Sequence, residues 1–468
     1  MRYQLSISGV HFEQLQQHLF PGDGKEAVAV ALCGRYNSGE LTKLMVHQLE
    51  LIPHNECERG GDFIHWKTQR IIPLLEKAGK YGMGILKIHS HPNGYYDRFS
   101  EVDDESDALL FPSVFGWTED NEPHLSAIML PDGKIISRAF FADHSFQMVD
   151  KVVIAGDVIS IWEPSIDPIL IDDFGKRTAQ AFGEGTYNIL RNLTIGVVGC
   201  SGTGSIVVEQ LARYGIKKLI LVDNDTVEFK NLNRIINATS SDAQNNRLKV
   251  DVLAQAIDEM GLGTSIEPYP YNLYDSNETL LKLAGCDVVF GCMDSVDGRH
   301  VLNQLATFFL LPYIDVGVRL VSDGKGNISS IIGSVNYLQP GKSSLLSRGL
   351  YDLEDLKSAG AYRKNPLEFS ELVKHAYFKD VAVNRPAVIS VNMGYASLAV
   401  NELLNRLHPY RGDTPKHYAQ VMMNLSEMYL QNFPETDFKV DHFLGKDVGK
   451  GSSTSVFLNL PELSATNQ

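Results

Sequence analysis

The sequence predicts an α/β protein, with an N-terminal α+β domain built on a mainly antiparallel sheet followed by a larger, doubly wound domain. Three observations carry this reading. The chain has 468 residues, enough for two or three domains at about 150 residues each, every one able to bury its own core. Over residues 1–160, short apolar runs alternate with polar loops, as in strands that bury a face against a core. From Leu193 the text reads LTIGVVG, CSGTGS, SIVVEQLARYGI and KLILVD. A buried strand, a glycine turn, a helix and a second buried strand make a βαβ unit of a parallel sheet.

In chain order, the apolar run AVAVAL after Glu26, GILKIH at 84–89, SAIMLP at 126–131 and KIISRAFF at 134–141 are the strands expected in domain 1–160. Residues 161–190 mix acidic and glycine-containing stretches without a clear core period, as in a connector or arm. The doubly wound, Rossmann-like domain is assigned to 191–410. Its later elements are a strand, DVVFGCMD (287–294), a long helix, DGRHVLNQLATFFL, and a packed helix, AVISVNMGYASLAVNELLNRLH (387–408), with small residues on one side. Residues 411–468 are expected to form a C-terminal extension with at most two strands and a frayed tail at ELSATNQ.

Hydrophobic residues at 44% and charged residues at 21% exclude disorder or a fibrous repeat as an account of the whole chain. Forty-two basic against 57 acidic residues leave a formal net charge of −15, which repels a polyphosphate backbone, so nucleic acid is not an expected partner. The five cysteines, Cys33, Cys57, Cys200, Cys286 and Cys292, are odd in number and show no C-x-x-C spacing. Neither a disulfide framework nor a cysteine zinc knuckle is expected, which fits a reducing compartment. The N-terminus lacks a basic segment followed by an apolar one, and no stretch reaches the roughly 18 apolar residues of a membrane span. The expected location is cytoplasmic, without a membrane partner.

His89-Ser90-His91 ends a predicted strand, and the strand period of two points both imidazoles to one face, as two nitrogen ligands of zinc require. Pro92 stops the strand. Ser100-Glu101-Val102-Asp103 looks like a helix start that returns the Asp103 carboxylate toward the histidines. A His, His, Asp set with the fourth position open is the catalytic zinc pattern. Ser100 and Asp103 equally suit an ordinary N-cap with an acidic first turn. HSHP followed by SEVD resembles the JAMM (MPN/JAB) metalloprotease signature, H-x-H-P then S-x-x-D, with about one residue more than the commonest spacing between them. The resemblance covers about the first 150 residues. It implies that His89, His91 and Asp103 are zinc ligands, that Glu26 is the general base for the attacking water, and that Ser100 is a hydrogen-bond partner of the oxyanion.

The turn Gly199-Cys200-Ser201-Gly202-Thr203-Gly204 lies between strand and helix, where backbone N–H groups and a helix N-terminus attract phosphate. Asp223 ends the second strand where a ribose hydroxyl is usually held, which alone would suit NAD. The text that follows favours ATP, because Asn231, Asn233, Arg234 and Lys249 bring amides and cations to one place, as a triphosphate demands. Asp294 ends the next strand, where a carboxylate can hold magnesium on phosphate oxygens. Roughly residues 190–410 resemble the ThiF/MoeB and ubiquitin-activating-enzyme superfamily. The matching pieces are the glycine turn (Gly199, Gly202, Gly204), Asp223 and Asp225, Asn231 to Arg234, Lys249, and Asp294 with Arg299 and Asn303. The resemblance implies that Asp223 holds the ribose, Arg234 and Lys249 the phosphates and Asp294 the magnesium. It also implies that Arg177, in FGKRTAQAFG, reaches the partner's site in a homodimer. Arg299 and Asn303 equally suit an ordinary helix-face pair.

Two departures from that superfamily are informative. Many relatives bear a zinc knuckle beginning C-L-x-C-R-G, but this chain has PGKSSLLSRG, with Ser344 and Ser347 in the cysteine places. No cysteine follows Cys292, which excludes a thioester on the usual crossover loop. The expected whole is a bifunctional enzyme. One domain cleaves after the C-terminal glycine of a ubiquitin-like protein, and the other adenylates that C-terminus with ATP and magnesium. Such fusions resemble bacterial ubiquitin-like systems, some tied to phage defence. The acyl group would pass directly to a conjugating enzyme or a sulfur donor, or to a hydroxyl such as Ser343, Ser344 or Ser347, which is a poor nucleophile without a base. Two alternatives are sulfur-carrier processing and activation, and a hydrolase served by a non-catalytic recognition and dimerisation module.

Overall fold

The first apolar runs form a nine-stranded mixed sheet with helices on both faces. In the computed structural model, which describes residues 1–94, 97–163, 170–273, 276–323, 325–369 and 386–452, this unit comprises Met1–Asp167, Thr307–Leu310 and Phe443–Phe457. Its elements begin with β1 (Arg2–Ser8), α1 (Gly9–Leu19), β2 (Val28–Asn37), β3 (Leu41–Leu51), β4 (Cys57–Arg59) and β5 (Ile64–Trp66). They continue with α2 (Ile72–Tyr81), β6 (Gly84–Ser90), α3 (Glu101–Thr118), β7 (His124–Met129), β8 (Ile135–Phe140), β9 (Phe146–Met148), β10 (Lys151–Ala155) and β11 (Ile159–Trp162). The sheet order is β11-β10-β1-β3-β2-β6-β7-β8-β9. Pairings of β2 with β3 and β6, and of β7 with β8, are antiparallel, while β1 lies parallel to β3 and β10, and β6 to β7.

β2 shows why AVAVAL has no polar alternation. Ala27, Ala29, Ala31 and Cys33 pack on one side with Leu15 and Leu19 of α1. Val28, Val30 and Leu32 pack on the other with Leu74 and Leu75 of α2 and Phe111 and Val114 of α3. A strand buried on both faces needs apolar residues at every position. After Phe443 the chain joins this unit: Gly34 N–H donates to Gly449 O and Ser452 N–H to Arg35 O. A Cβ on Gly34 would stand 2.2 Å from Lys450 O, so this approach of two backbones requires glycine.

The second unit comprises the described residues of Pro168–Ala306 and Leu311–His442. Its first elements are α4 (Lys176–Leu190), β12 (Thr194–Val198), α5 (Gly202–Arg213), β13 (Lys218–Val222), α6 (Ser240–Gln244), α7 (Lys249–Met260) and β14 (Ser265–Tyr269). Then come α8 (Asn277–Ala284), β15 (Val288–Gly291), α9 (Val296–Phe309), β16 (Tyr313–Ser322), β17 (Ile328–Leu338), α10 (Leu353–Lys364), α11 (Ile389–Leu407), β18 (Gln420–Asn424) and β19 (Tyr429–Phe433). The eight-stranded sheet runs β14-β13-β12-β15-β16-β17-β18-β19. From β14 to β16 the pairings are parallel, and from β16 to β19 antiparallel. Chain order reverses between β12 and β15, the switch point at which α/β sheets open a crevice at the carboxyl ends of their strands.

One segment differs from the sequence reading. Residues 176–190 are helical rather than an irregular arm, and Thr186, Tyr187 and Leu190 are buried. Gly183, at φ 83°, interrupts the helix and masks its period. Within the expected extension from 411, the described residues form the two strands β18 and β19, and β18 pairs with β17 to continue the sheet. The ELSATNQ tail lies outside the described residues. Among the described residues, no helix is long and apolar enough to cross a membrane.

Candidate functional site

Sheet register assembles the first cluster. β2 and β6 are antiparallel with Val28 opposite His89, so continuing the register sets Glu26 across from His91. The Glu26 N–H donates to Gly60 O and the Ser90 N–H to Ala27 O, which holds both strand ends. Ligand atoms of Glu26, His89 and His91 lie within 4.8 Å of one another, and all three residues are buried. Asp103 comes from the first turn of α3. Its Oδ1 is 2.8 Å from His89 Nε2 and its Oδ2 3.5 Å from His91 Nε2. Ser100 is the N-cap of α3: its N–H and hydroxyl donate to Asp103 Oδ2 at 2.7 and 2.8 Å, and its Oγ accepts the Asp103 N–H. The capping role and the proximity of Asp103 to the histidines therefore coexist.

Burial pushes the Glu26 carboxyl up to about 7 and the His89 imidazole down, favouring neutral His89. Burial alone would also raise Asp103, but hydrogen bonding with His89 and His91 outweighs it and holds that carboxyl well below the usual range. Two imidazoles and two carboxylates converging in a buried space are a donor set that suits zinc. The His89 Nδ1 atom is buried without a hydrogen-bond partner among the described residues, where the ring is held by packing and by its Nε2 side.

The second cluster lies at the carboxyl ends of β12, β13 and β15. Gly199 adopts φ +89°, and a Cβ there would meet the Cys292 carbonyl at 2.8 Å, so the turn packs tightly on the loop that carries Asp294. A Cβ on Gly204 would stand 1.8 Å from Gly199 O. At the end of β13, Asp223 accepts the Cys200 N–H at 2.7 Å and the Asp225 N–H at 2.9 Å. Burial raises its carboxyl, with Lys249 opposing the shift. Lys249 Nζ is 2.6 Å from Asp225 Oδ2 and 3.8 Å from Asp223 Oδ1, so the lysine is paired with the two aspartates. Arg234 lies against the first turn of α5, and a Cβ on Gly202 would come within 3.0 Å of its Cδ. Its Nη1 donates to Lys230 O and Asn233 Oδ1, while Asn233 Nδ2 donates to Ala387 O. Asp294 is exposed.

Other residues singled out in the sequence have structural partners. Asn231 is buried, and its Oδ1 accepts the Glu228 N–H in a capping box. Arg299 Nε donates to buried Asp315 at 2.8 Å, and Asn303 Oδ1 accepts the Leu345 N–H at 2.9 Å. Arg177 is exposed on α4, where it donates to Gln180. Ser344 Oγ donates to Asp441 Oδ2 at 2.6 Å, and the Ser344 and Ser347 N–H groups donate to each other's hydroxyl oxygens. Hydrogen bonds thus close this segment, and Ser343 and Ser344 are buried rather than poised as acyl acceptors. Cys200 is buried, and burial pushes the Cys200 and Cys292 thiols up, against thiolate formation.

Sequence reasoning missed Asn392 on α11. With its amide oriented to satisfy both ends, its Oδ1 accepts the Thr203 N–H at 3.2 Å and its Nδ2 donates to Val388 O. It therefore stands at the first turn of α5, beside Gly202.

A family model described as the ThiF family matches residues 175–441, more than half of the chain. The chain belongs to the ThiF family. Ubiquitin-like modifier-activating enzyme 5 of Bombyx mori is 30% identical over 168 residues, 34% of this chain and 40% of that protein. Its counterpart in Drosophila willistoni is 27% identical over 169 residues, 34% of this chain and 39% of that one. The chain thus spans about two fifths of the length of the curated relatives it matches. Among solved structures, E. coli MccB with ATP aligns with 56% of this chain and 72% of its own, at 18% identity and a TM-score of 0.42. PaaA aligns with 59% of this chain and 88% of its own, at 16% identity and a TM-score of 0.42.

Proposed function

We propose that this ThiF-family chain adenylates the C-terminal carboxylate of a ubiquitin-like protein, and that its N-terminal unit is a JAMM-like zinc peptidase cleaving after the terminal glycine of the same protein. The observation that carries the first activity is the convergence of the glycine turn, Asp223, Lys249, Arg234 and the Asp294 loop at the carboxyl ends of the central parallel strands. Asp223 would accept a hydrogen bond from the ribose. The triphosphate would lie over the first turn of α5, where backbone N–H groups and Arg234 favour negative charge. Lys249 would exchange Asp225 for phosphate oxygens. The substrate carboxylate attacks the α-phosphorus, the bond to the bridging oxygen breaks, and pyrophosphate leaves from an acyl-adenylate. Magnesium held through Asp294 supplies charge neutralisation on the phosphates.

For the second activity, zinc on His89, His91 and Asp103 supplies Lewis-acid activation of water and carbonyl. Glu26, buried beside His89 and His91, takes a proton from the attacking water and delivers it to the leaving amine. Ser100 orients Asp103, and its hydroxyl would turn from that carboxylate to meet the oxyanion. Buried serines in the crossover segment favour direct transfer of the acyl group to a conjugating enzyme or a sulfur donor. Arg177, exposed on α4, suits a role across a homodimer. The test is pyrophosphate exchange with a glycine-ended ubiquitin-like protein, ATP and magnesium. Wild type should exchange and Asp294→Ala should fall by orders of magnitude; no exchange by wild type with such partners would refute adenylation.

A further inference from the structure

Beneath the zinc cluster, β6 and α3 are joined by a second rung of charged groups. Lys87 and His89 are two residues apart on β6, and Asp103 and Asp107 are four apart on α3, so each pair shares a face. His89 meets Asp103 at 2.8 Å, and Lys87 Nζ meets Asp107 Oδ1 at 2.7 Å. The Lys87 and Asp107 side chains are 3% and 0% exposed. Lys87 also donates to Ser106 Oγ at 2.9 Å. From β8, Arg138 donates through Nη2 and Nε to Asp107 Oδ2 at 2.8 and 3.2 Å, and through Nη1 to Asp104. Its guanidinium lies 4.0 Å from the centre of the Phe99 ring. Arg138 therefore grips both sides of the short stretch that carries Ser100 and Asp103.

We propose that Lys87, Asp107 and Arg138 are positioning residues that set α3 against β6 and so fix Asp103 relative to His89 and His91. The proposal rests on the zinc reading of that cluster. A buried ion pair is weak evidence for stability, because apolar residues of similar volume often replace one at no cost. Its directional bonds do fix the spacing of the two elements that carry the ligands, as groups behind metal ligands characteristically do. Asp107 faces both cations, and Asp104 compensates the second, so the rung holds α3 in place before any metal arrives.

The test measures zinc affinity by competition with a chromophoric chelator, and the visible spectrum of the cobalt-substituted full-length protein. Two variants are compared with wild type. Lys87→Met/Asp107→Leu removes the lysine and the aspartate of the rung and leaves Arg138 with Asp104, and Arg138→Lys keeps the charge but loses the fork. Each folded variant should bind zinc about 10- to 100-fold more weakly and show an altered cobalt spectrum, and the double variant, whose buried Arg138 keeps only Asp104, should unfold below the wild-type temperature. A purely structural role instead predicts wild-type affinity and spectrum in any variant that folds, and that result overturns the proposal. If the double variant does not fold, Arg138→Lys decides on the same two readouts. Wild type that binds no zinc overturns the metal reading and this inference together; wild type that binds zinc with unaffected variants overturns the inference alone.

Discussion

Arg299 decides whether the second half of the nucleotide motif is chemistry or scaffold. Its Nε donates to Asp315 Oδ1 at 2.8 Å and its Nη2 to Oδ2, and Asp315 is fully buried. Arg299→Met removes the cation and leaves the carboxylate with two neutral donors, Tyr313 OH at 3.1 Å and Asn336 Nδ2 at 3.2 Å. Breaking a buried pair by removing one partner costs about 3–5 kcal/mol, and the two remaining donors place this case near 3. At 2–4 °C per kcal/mol for a domain of this size, the melting temperature of the second unit should fall by roughly 6–12 °C. Asp315→Asn in the same background should recover part of the loss, because the uncompensated charge is gone. The assay is thermal unfolding followed by circular dichroism, with pyrophosphate exchange measured well below the transition. Exchange per folded molecule should stay within a few fold of wild type. An unchanged melting temperature with exchange abolished would make Arg299 a phosphate ligand and refute the scaffold role.

Two further outcomes are expected. Gly204→Ala forces a Cβ against Gly199 O, an overpacking that costs about 1–3 kcal/mol and distorts the turn. Calorimetric ATP titration should show binding lost, and wild-type affinity would remove the turn from the phosphate seat. Glu26→Gln should retain about one zinc per chain by elemental analysis but lose cleavage of a ubiquitin-like fusion, since only the proton carrier is altered. Retained cleavage would assign the base elsewhere.

What was legible in the sequence depended on short-range periodicity. His89 and His91 share a face because a strand alternates, and Ser100 with Asp103 forms a capping box within three residues. The glycine turn between LTIGVVG and its helix is equally local, and so was readable as β12, turn and α5. Contacts between distant positions were not legible. Lys87 with Asp107, Arg138 with Asp107, Asn392 with Thr203 and Ser344 with Asp441 are each set by sheet order and helix packing rather than by a local pattern. Arg299 was ambiguous for the same reason, since its partner lies on the next strand. The helix at 176–190 escaped because Gly183 breaks its period.

The most direct measurement follows one substrate through both activities. A ubiquitin-like protein carrying a short extension beyond its terminal glycine is incubated with the zinc-loaded chain, ATP and magnesium, and its intact mass is recorded over time. The expected result is loss of the extension followed by the appearance of an AMP adduct only on the trimmed form. Asp294→Ala should stop at the trimmed form, and Glu26→Gln should leave the extension in place. An adduct that never forms on a glycine-ended partner, or an extension left uncut by the zinc-loaded wild type, would contradict the pairing of the two activities in one chain.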